Sequence, residues 1–175
     1  MSDFDQAIRF SPELVEAYFN RGNTYLRLGQ AEQAIQDFDQ AIRLQPEHAE
    51  AYINRGMVYL NLGQVEQAIQ DFDEAIRLSP ELVEAYMNRG NAYLNLGQVE
   101  RAIQDFDEAV RLNPEFVEAY VSRGMAYRSL GQYERAIQDF DEAIRLNPEF
   151  AQAYSRRGMA YLNLGQVERA IQDFL

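Results

Sequence analysis

Residues 81–114 read ELVEAYMNRGNAYLNLGQVERAIQDFDEAVRLNP, and the fold turns on this stretch. Tyr86, Gly90 and Tyr93 stand four and three apart, the spacing of one stripe on an α-helix. Ser79-Pro80-Glu81 offers a capping hydroxyl, a proline where a missing N–H is harmless, and a carboxylate near the positive end of a helix dipole. A first helix, helix A, is therefore predicted to start there and to end at Leu96, with Gly97 as a left-handed cap. A second, helix B, is predicted from about Val99 to about Leu112. It carries Ala102, Phe106, Ala109 and Val110 on one face, with Glu100, Asp105, Asp107 and Glu108 off it.

Working outward, the same stretch recurs. Pro12, Pro46, Pro80, Pro114 and Pro148 are 34 residues apart, and the glycines follow in two series of that period, beginning at Gly22 and Gly29. The chain reads as a single repeat array over residues 1–175. Residues 1–12 match the second half of helix B, full units occupy 13–46, 47–80, 81–114 and 115–148, and a fifth runs from 149 to 175, stopping inside its own helix B. A mid-helix glycine costs roughly 1 kcal/mol relative to alanine, so its return in every copy of helix A implies an offsetting contact. Close approach to the alanine of helix B is the simplest. Asp39 and Arg43, Asp73 and Arg77, Asp107 and Arg111, and Asp141 and Arg145 stand four apart, acid first, each pair contributing about 0.3 to 0.5 kcal/mol.

The pattern Tyr86-x-x-Arg89-Gly90-x-x-Tyr93, then Ala102-x-x-x-Phe106-x-x-Ala109, then Pro114, resembles the tetratricopeptide repeat at nearly every signature position. Tyrosine stands where that family often has tryptophan, and Arg89 where it often has leucine. The resemblance covers the whole chain. It implies an all-α fold, a right-handed superhelical α-solenoid of stacked antiparallel helix pairs, with helix A lining a concave face and helix B forming the convex one. Periodicity by itself implies only two amphipathic helices per unit that need neighbours to bury their apolar faces.

Composition narrows the function. Sixteen Arg and no Lys stand against 28 acidic residues, and a net charge of −12 disfavours the phosphate backbone of nucleic acid as a partner. With no cysteine there is no disulfide framework and no thiolate metal site. No stretch approaches the roughly 18 apolar residues of a membrane span and Met1-Ser2-Asp3-Phe4-Asp5 lacks a basic signal-peptide start, so a cytoplasmic protein without a membrane partner is expected. The single imidazole, His48, lies in the turn before a helix A and reads as a solvated turn residue. Acidic runs such as Asp71–Glu74 lack the glycine and ligand spacing of a calcium loop, and no phosphate loop or nucleotide fingerprint is present. No catalytic residue, metal or cofactor is expected, and the chain reads as non-enzymatic.

Units 47–80 and 81–114 share 26 of 34 residues, and differences between units concentrate on one stripe of helix A, away from its tyrosines. With Val83 as position 1, position 2 holds Glu16, Glu50, Glu84, Glu118 and Gln152, and position 5 holds Phe19, Ile53, Met87, Val121 and Ser155. Position 6 holds Asn20, Asn54, Asn88, Ser122 and Arg156, and position 9 holds Asn23, Met57, Asn91, Met125 and Met159. Position 12 is leucine except at Arg128. In tetratricopeptide repeat proteins this stripe lines the ligand groove, so the resemblance implies a candidate role for these residues in gripping an extended or helical peptide. Asn20, Asn54 and Asn88 read either as a ladder pairing with peptide groups or as solvated polar residues. Met57, Met125 and Met159 read either as gap-fillers between A helices or as an adaptable surface.

Glu50, Glu84 and Glu118 favour a protein or peptide ligand with a basic or neutral-apolar centre, while Arg128, Arg156 and Arg157 make the last two units more positive. The lysine clamp of some relatives has no counterpart here. At position 7, Arg21, Arg55, Arg89, Arg123 and Arg157 are expected to pair with Asp37, Asp71, Asp105, Asp139 and Asp173 of helix B. Ala170, Ile171, Phe174 and Leu175 would present an apolar face with no following helix A, so self-association through this end is expected. A piece of a longer array, or an engineered one, gives the same bare face. The alternative function is thus a structural or engineered array whose main property is stacking and end-to-end assembly.

Overall fold

The computed structural model describes residues 3–175 and places them in eleven α-helices, with no strand among the described residues. They divide into two compact units, Met1–Ala92 and Tyr93–Leu175. In the first unit, α2 (Val15–Arg27) pairs with α3 (Ala31–Leu44) and α4 (Ala49–Asn61) with α5 (Val65–Leu78), and α3 packs on α4. This unit also holds α1 (Asp3–Phe10), packed on α2, and most of α6 (Val83–Asn95). In the second, α8 (Val117–Ser129) pairs with α9 (Tyr133–Leu146) and α10 (Ala151–Asn163) with α11 (Val167–Phe174). There, α7 (Val99–Leu112) packs on α8, and α9 on α10. Each unit is a segment of an all-α solenoid, built from antiparallel helix hairpins stacked side by side.

The connections explain where the helices stop. Gly63 has φ +74°, its N–H reaches the carbonyl of Leu60, and the N–H of Gln64 reaches back to Tyr59, closing the last turn of α4. Gly29, Gly97, Gly131 and Gly165 share the left-handed conformation. The predicted helix B is found from Val99 to Leu112. Helix A starts later than Ser79-Pro80 suggests. Ser79 is the C-cap of α5 at φ −140° and ψ 84°, held extended by the proline after it. Pro80 and Glu81 then form a turn closed by the N–H of Leu82 on the carbonyl of Ser79, and α6 begins only at Val83. The proline therefore connects hairpins and does not open a helix.

Phe38 and Phe72 of the first unit and Phe106 and Phe140 of the second are fully buried among alanines. They also explain the mid-helix glycines. A methyl group added at Gly56 would lie 2.7 Å from the Phe72 ring, and at Gly22 2.8 Å from Phe38. Gly124 and Gly158 face Phe140 and Phe174 in the same way. The phenyl ring of helix B is the nearest obstacle in each case, because the larger side chain fills the space between the helices, and at Gly124 the carbonyl oxygen of the helix B alanine, Ala136, is also within 3.2 Å.

Candidate functional site

Two sets of polar side chains must be separated before a site is visible. The first is an internal ladder. Arg55 donates from Nε and Nη2 to both carboxylate oxygens of Asp71, at 2.9 and 2.6 Å, and from Nη1 to Asp39 of α3 at 2.6 Å. Arg21 bridges Asp37 and Asp5, Arg123 bridges Asp139 and Asp107, and Arg157 bridges Asp173 and Asp141 in the same way. Arg89 holds Asp73 at 2.6 Å. The guanidinium of Arg55 lies between the rings of Tyr52 and Tyr59, 5.5 and 5.9 Å from their centroids, which accounts for arginine and the two tyrosines recurring together.

The ladder corrects the sequence reading of the helix B acids. Asp39, Asp73, Asp107 and Asp141 turn to the arginine of the following repeat and not to the residue four positions on. Arg77, Arg111 and Arg145 take Glu74, Glu108 and Glu142 instead, three positions back. A half-buried guanidinium held between rings is a better partner for the aspartate than an exposed, mobile one. Burial opposes the charge on Arg55 and Arg123, and the hydrogen bonds each donates to two carboxylates, with the attraction of those charges, more than offset it, raising both above the ordinary arginine value. Burial lifts the carboxyls of Asp71 and Asp139, with the arginines pulling against it. Arg157 is consumed in this ladder and adds no free positive charge to the last repeats.

The second set lies on the variable stripe of the A helices. In the first unit a cleft of about 310 Å³ is lined by Phe19, Glu50, Ile53, Asn54 and Glu84, from α2, α4 and α6. Its floor is apolar and its walls are carboxylate and amide. Ile53 is only 2 % exposed, Met87 and Val121 are likewise buried, and Phe19 packs on Phe38. The position 5 side chains are thus mainly packing groups between A helices, so Ile53, Met87 and Val121 offer almost no surface to a ligand, and the half-buried Phe19 is the apolar side chain left to the cleft. Met57 and Met125 pack partly buried against the two cores, the gap-filling use, whereas Met159 is exposed.

The asparagines do not behave alike. Asn20 is exposed, Asn54 donates to the side-chain oxygen of Asn23 at 2.7 Å, and Asn88 has a buried Nδ2 with no hydrogen-bond partner. Asn91, Glu16, Glu50 and Glu84 are exposed. His48, expected in solvent, is half-buried at the N-cap of α4 and packs against Phe19 with the rings tilted by 36° and centroids 4.6 Å apart. The adjacent aromatic at position 5 is the sequence signal for it.

In the second unit a separate cleft is lined by Arg128, Gln152, Ser155, Arg156 and Met159. At α11, Ile171, Phe174 and Leu175 are exposed, but Ala170 is completely buried against the core of its hairpin and lies off that apolar face. Among the described residues no cluster of His, Cys, Asp and Glu is placed to hold a metal, and no helix is long and apolar enough to cross a membrane.

A profile of the tetratricopeptide repeat matches residues 19–83, 56–115, 87–148 and 121–175. The fold resembles a crystal structure of the MamA protein at TM-score 0.84 and 26% identity, covering 93% of this chain and 89% of that one. A MamA segment from Desulfovibrio magneticus matches at TM-score 0.84 and 25% identity, covering 91% and 90%. YrrB, described as a TPR protein with an unusual peptide-binding site, matches at TM-score 0.80 and 26% identity, covering 98% and 89%. Among curated proteins none matches.

Proposed function

This chain belongs to the tetratricopeptide repeat family, and on that premise we propose that it is a non-enzymatic protein-interaction scaffold whose A-helix face grips an extended or helical peptide. The unbroken 34-residue period supports reading residues 1–175 as one array. The observation that carries the binding role is the cleft of the first unit. Phe19, Glu50, Ile53, Asn54 and Glu84 come only from A helices, and at equivalent positions of successive repeats. A strip of apolar floor between carboxylates suits a ligand that alternates aliphatic and basic side chains. The likeness to YrrB, a peptide-binding relative by its description, supports the same reading.

Selection of random peptides on the full chain tests it. Enriched sequences are expected to carry lysine or arginine beside aliphatic residues. The double substitution Glu50→Gln, Glu84→Gln should weaken them by about tenfold at low salt, the effect of roughly 1.4 kcal/mol of lost attraction. Unchanged affinity in that variant would show that the peptides bind elsewhere.

Assembly is the second reading, favoured by Val167, Ile171 and Phe174, each about half exposed on one short helix. Light scattering over a hundredfold concentration range, a span wide enough to move a weak dimer through its midpoint, is expected to show mass rising above 20.2 kDa. Ile171→Gln with Leu175→Gln should restore the monomer. A constant monomer mass removes this reading and leaves the cleft.

A further inference from the structure

The cleft of the second unit differs in kind from that of the first. It encloses about 290 Å³ where α8 and α10 lie side by side, and its charged groups are Arg128 and Arg156. Every residue that makes it so departs from the pattern of the other repeats. Arg128 replaces the leucine of position 12, Gln152 the glutamate of position 2, Arg156 the asparagine or serine of position 6, and Ser155 the bulky residue of position 5. In a chain with two units sharing 26 of 34 residues, four departures that meet in one cleft form a single feature. Together they add two cations, remove an anion and open space.

These arginines also stand apart from the ladder. Arg123 and Arg157 of the same unit each bridge two aspartates. Among the described residues neither Arg128 nor Arg156 meets a carboxylate, and the Nε of Arg156 is buried without a hydrogen-bond partner. Burial and the neighbouring charge of Arg128 push the pKa of Arg156 down, the signature of two like charges held together with no counter-charge. An arrangement that is unfavourable when empty becomes favourable once an anion enters it.

We propose that this cleft is a phosphoryl-binding subsite, which takes a phosphorylated side chain of a bound peptide. It rests on the peptide-binding reading of the A-helix face and adds the chemical class of one ligand group. Charge balance selects the dianion. A phosphorylated side chain carries about −1.5 to −2 near neutral pH and three acceptor oxygens, which two guanidiniums neutralise, whereas one carboxylate leaves a cation unpaired. The Ser155 hydroxyl and the Gln152 amide supply further donors on the same walls.

The test is a titration of the ¹⁵N-labelled full chain, followed through the arginine Nε–Hε signals at ionic strength held constant with sodium chloride. The probes are N-acetyl-O-phosphoserine amide, N-acetyl-aspartate amide and inorganic phosphate. Saturable shifts of the Arg128 and Arg156 signals are expected with the phosphoserine amide, with the aspartate amide at least about tenfold weaker because it brings half the charge. Inorganic phosphate should bind no more tightly than the phosphoserine amide. Arg156→Gln should abolish the shifts while the Arg123 signal keeps its position, showing an intact fold. Three results overturn the inference: no saturable shift, equal binding of the aspartate amide, or shifts that survive in Arg156→Gln. Tighter binding of inorganic phosphate than of the phosphoserine amide overturns the side-chain source. None of these probes contains a peptide chain, so the outcome is independent of the library selection above.

Discussion

Arg55→Leu is expected to destabilise the protein by about 3 to 5 kcal/mol, although leucine is what the family often has at this position, because it strands a buried charge. Asp71 is 7% exposed on its side chain and receives two of the three hydrogen bonds of Arg55. Without the guanidinium its carboxylate has neither water nor a counter-charge. Asp71→Ala in the Arg55→Leu background is expected to recover much of the loss, giving a coupling energy of at least about 1 kcal/mol in a double-mutant cycle read by urea unfolding. A coupling indistinguishable from zero would mean the pair is incidental. The pH dependence has a definite sign. Burial holds the folded pKa of Asp71 above its ordinary 3.8, even against the pull of Arg55. A group raised in this way supports the fold below its ordinary pKa and withdraws that support as pH rises through the folded value. Removing Arg55 takes away the opposing pull, so the variant's deficit should be small near the ordinary carboxylate pKa and grow as pH rises.

The position 7 arginines were legible in the sequence because a charged residue recurred where an apolar one was expected, and only an acid on the facing helix could accommodate it. The second acid was not legible. Asp39 sits four residues before Arg43, so a local rule points it along its own helix, and only the stacking of α4 on α3 brings Arg55 within reach. The same distinction separates the helix ends. Gly63 and its equivalents announced themselves, since a left-handed backbone is a local requirement. Pro80 did not, because proline suits a turn and a first helical position equally well, and the extended Ser79 decides between them. On the A-helix stripe, period alone places Ile53, Met87 and Val121 beside Glu50 and Asn54. How far a side chain sinks between neighbouring helices depends on packing distance, which the period does not contain.

Phe72→Ala is expected to cost about 3 to 5 kcal/mol, the usual loss for emptying a fully buried phenyl site. Gly56 makes the more discriminating partner substitution. A methyl group there would sit 2.7 Å from a ring that has no exposed surface, so Gly56→Ala should destabilise the parent by about 1 to 3 kcal/mol through overpacking. This is the reverse of what helix propensity alone dictates, since alanine in a helix interior is favoured over glycine by roughly 1 kcal/mol. In the Phe72→Ala background the obstruction is gone and only the propensity remains, so Gly56→Ala should there become stabilising. The change of sign, measured by urea midpoints in the two backgrounds, isolates the ring as the cause. A Gly56→Ala variant that is more stable than the parent would show that the ring can shift. In that event the glycine of helix A would have to be required by something other than the helix B phenylalanine.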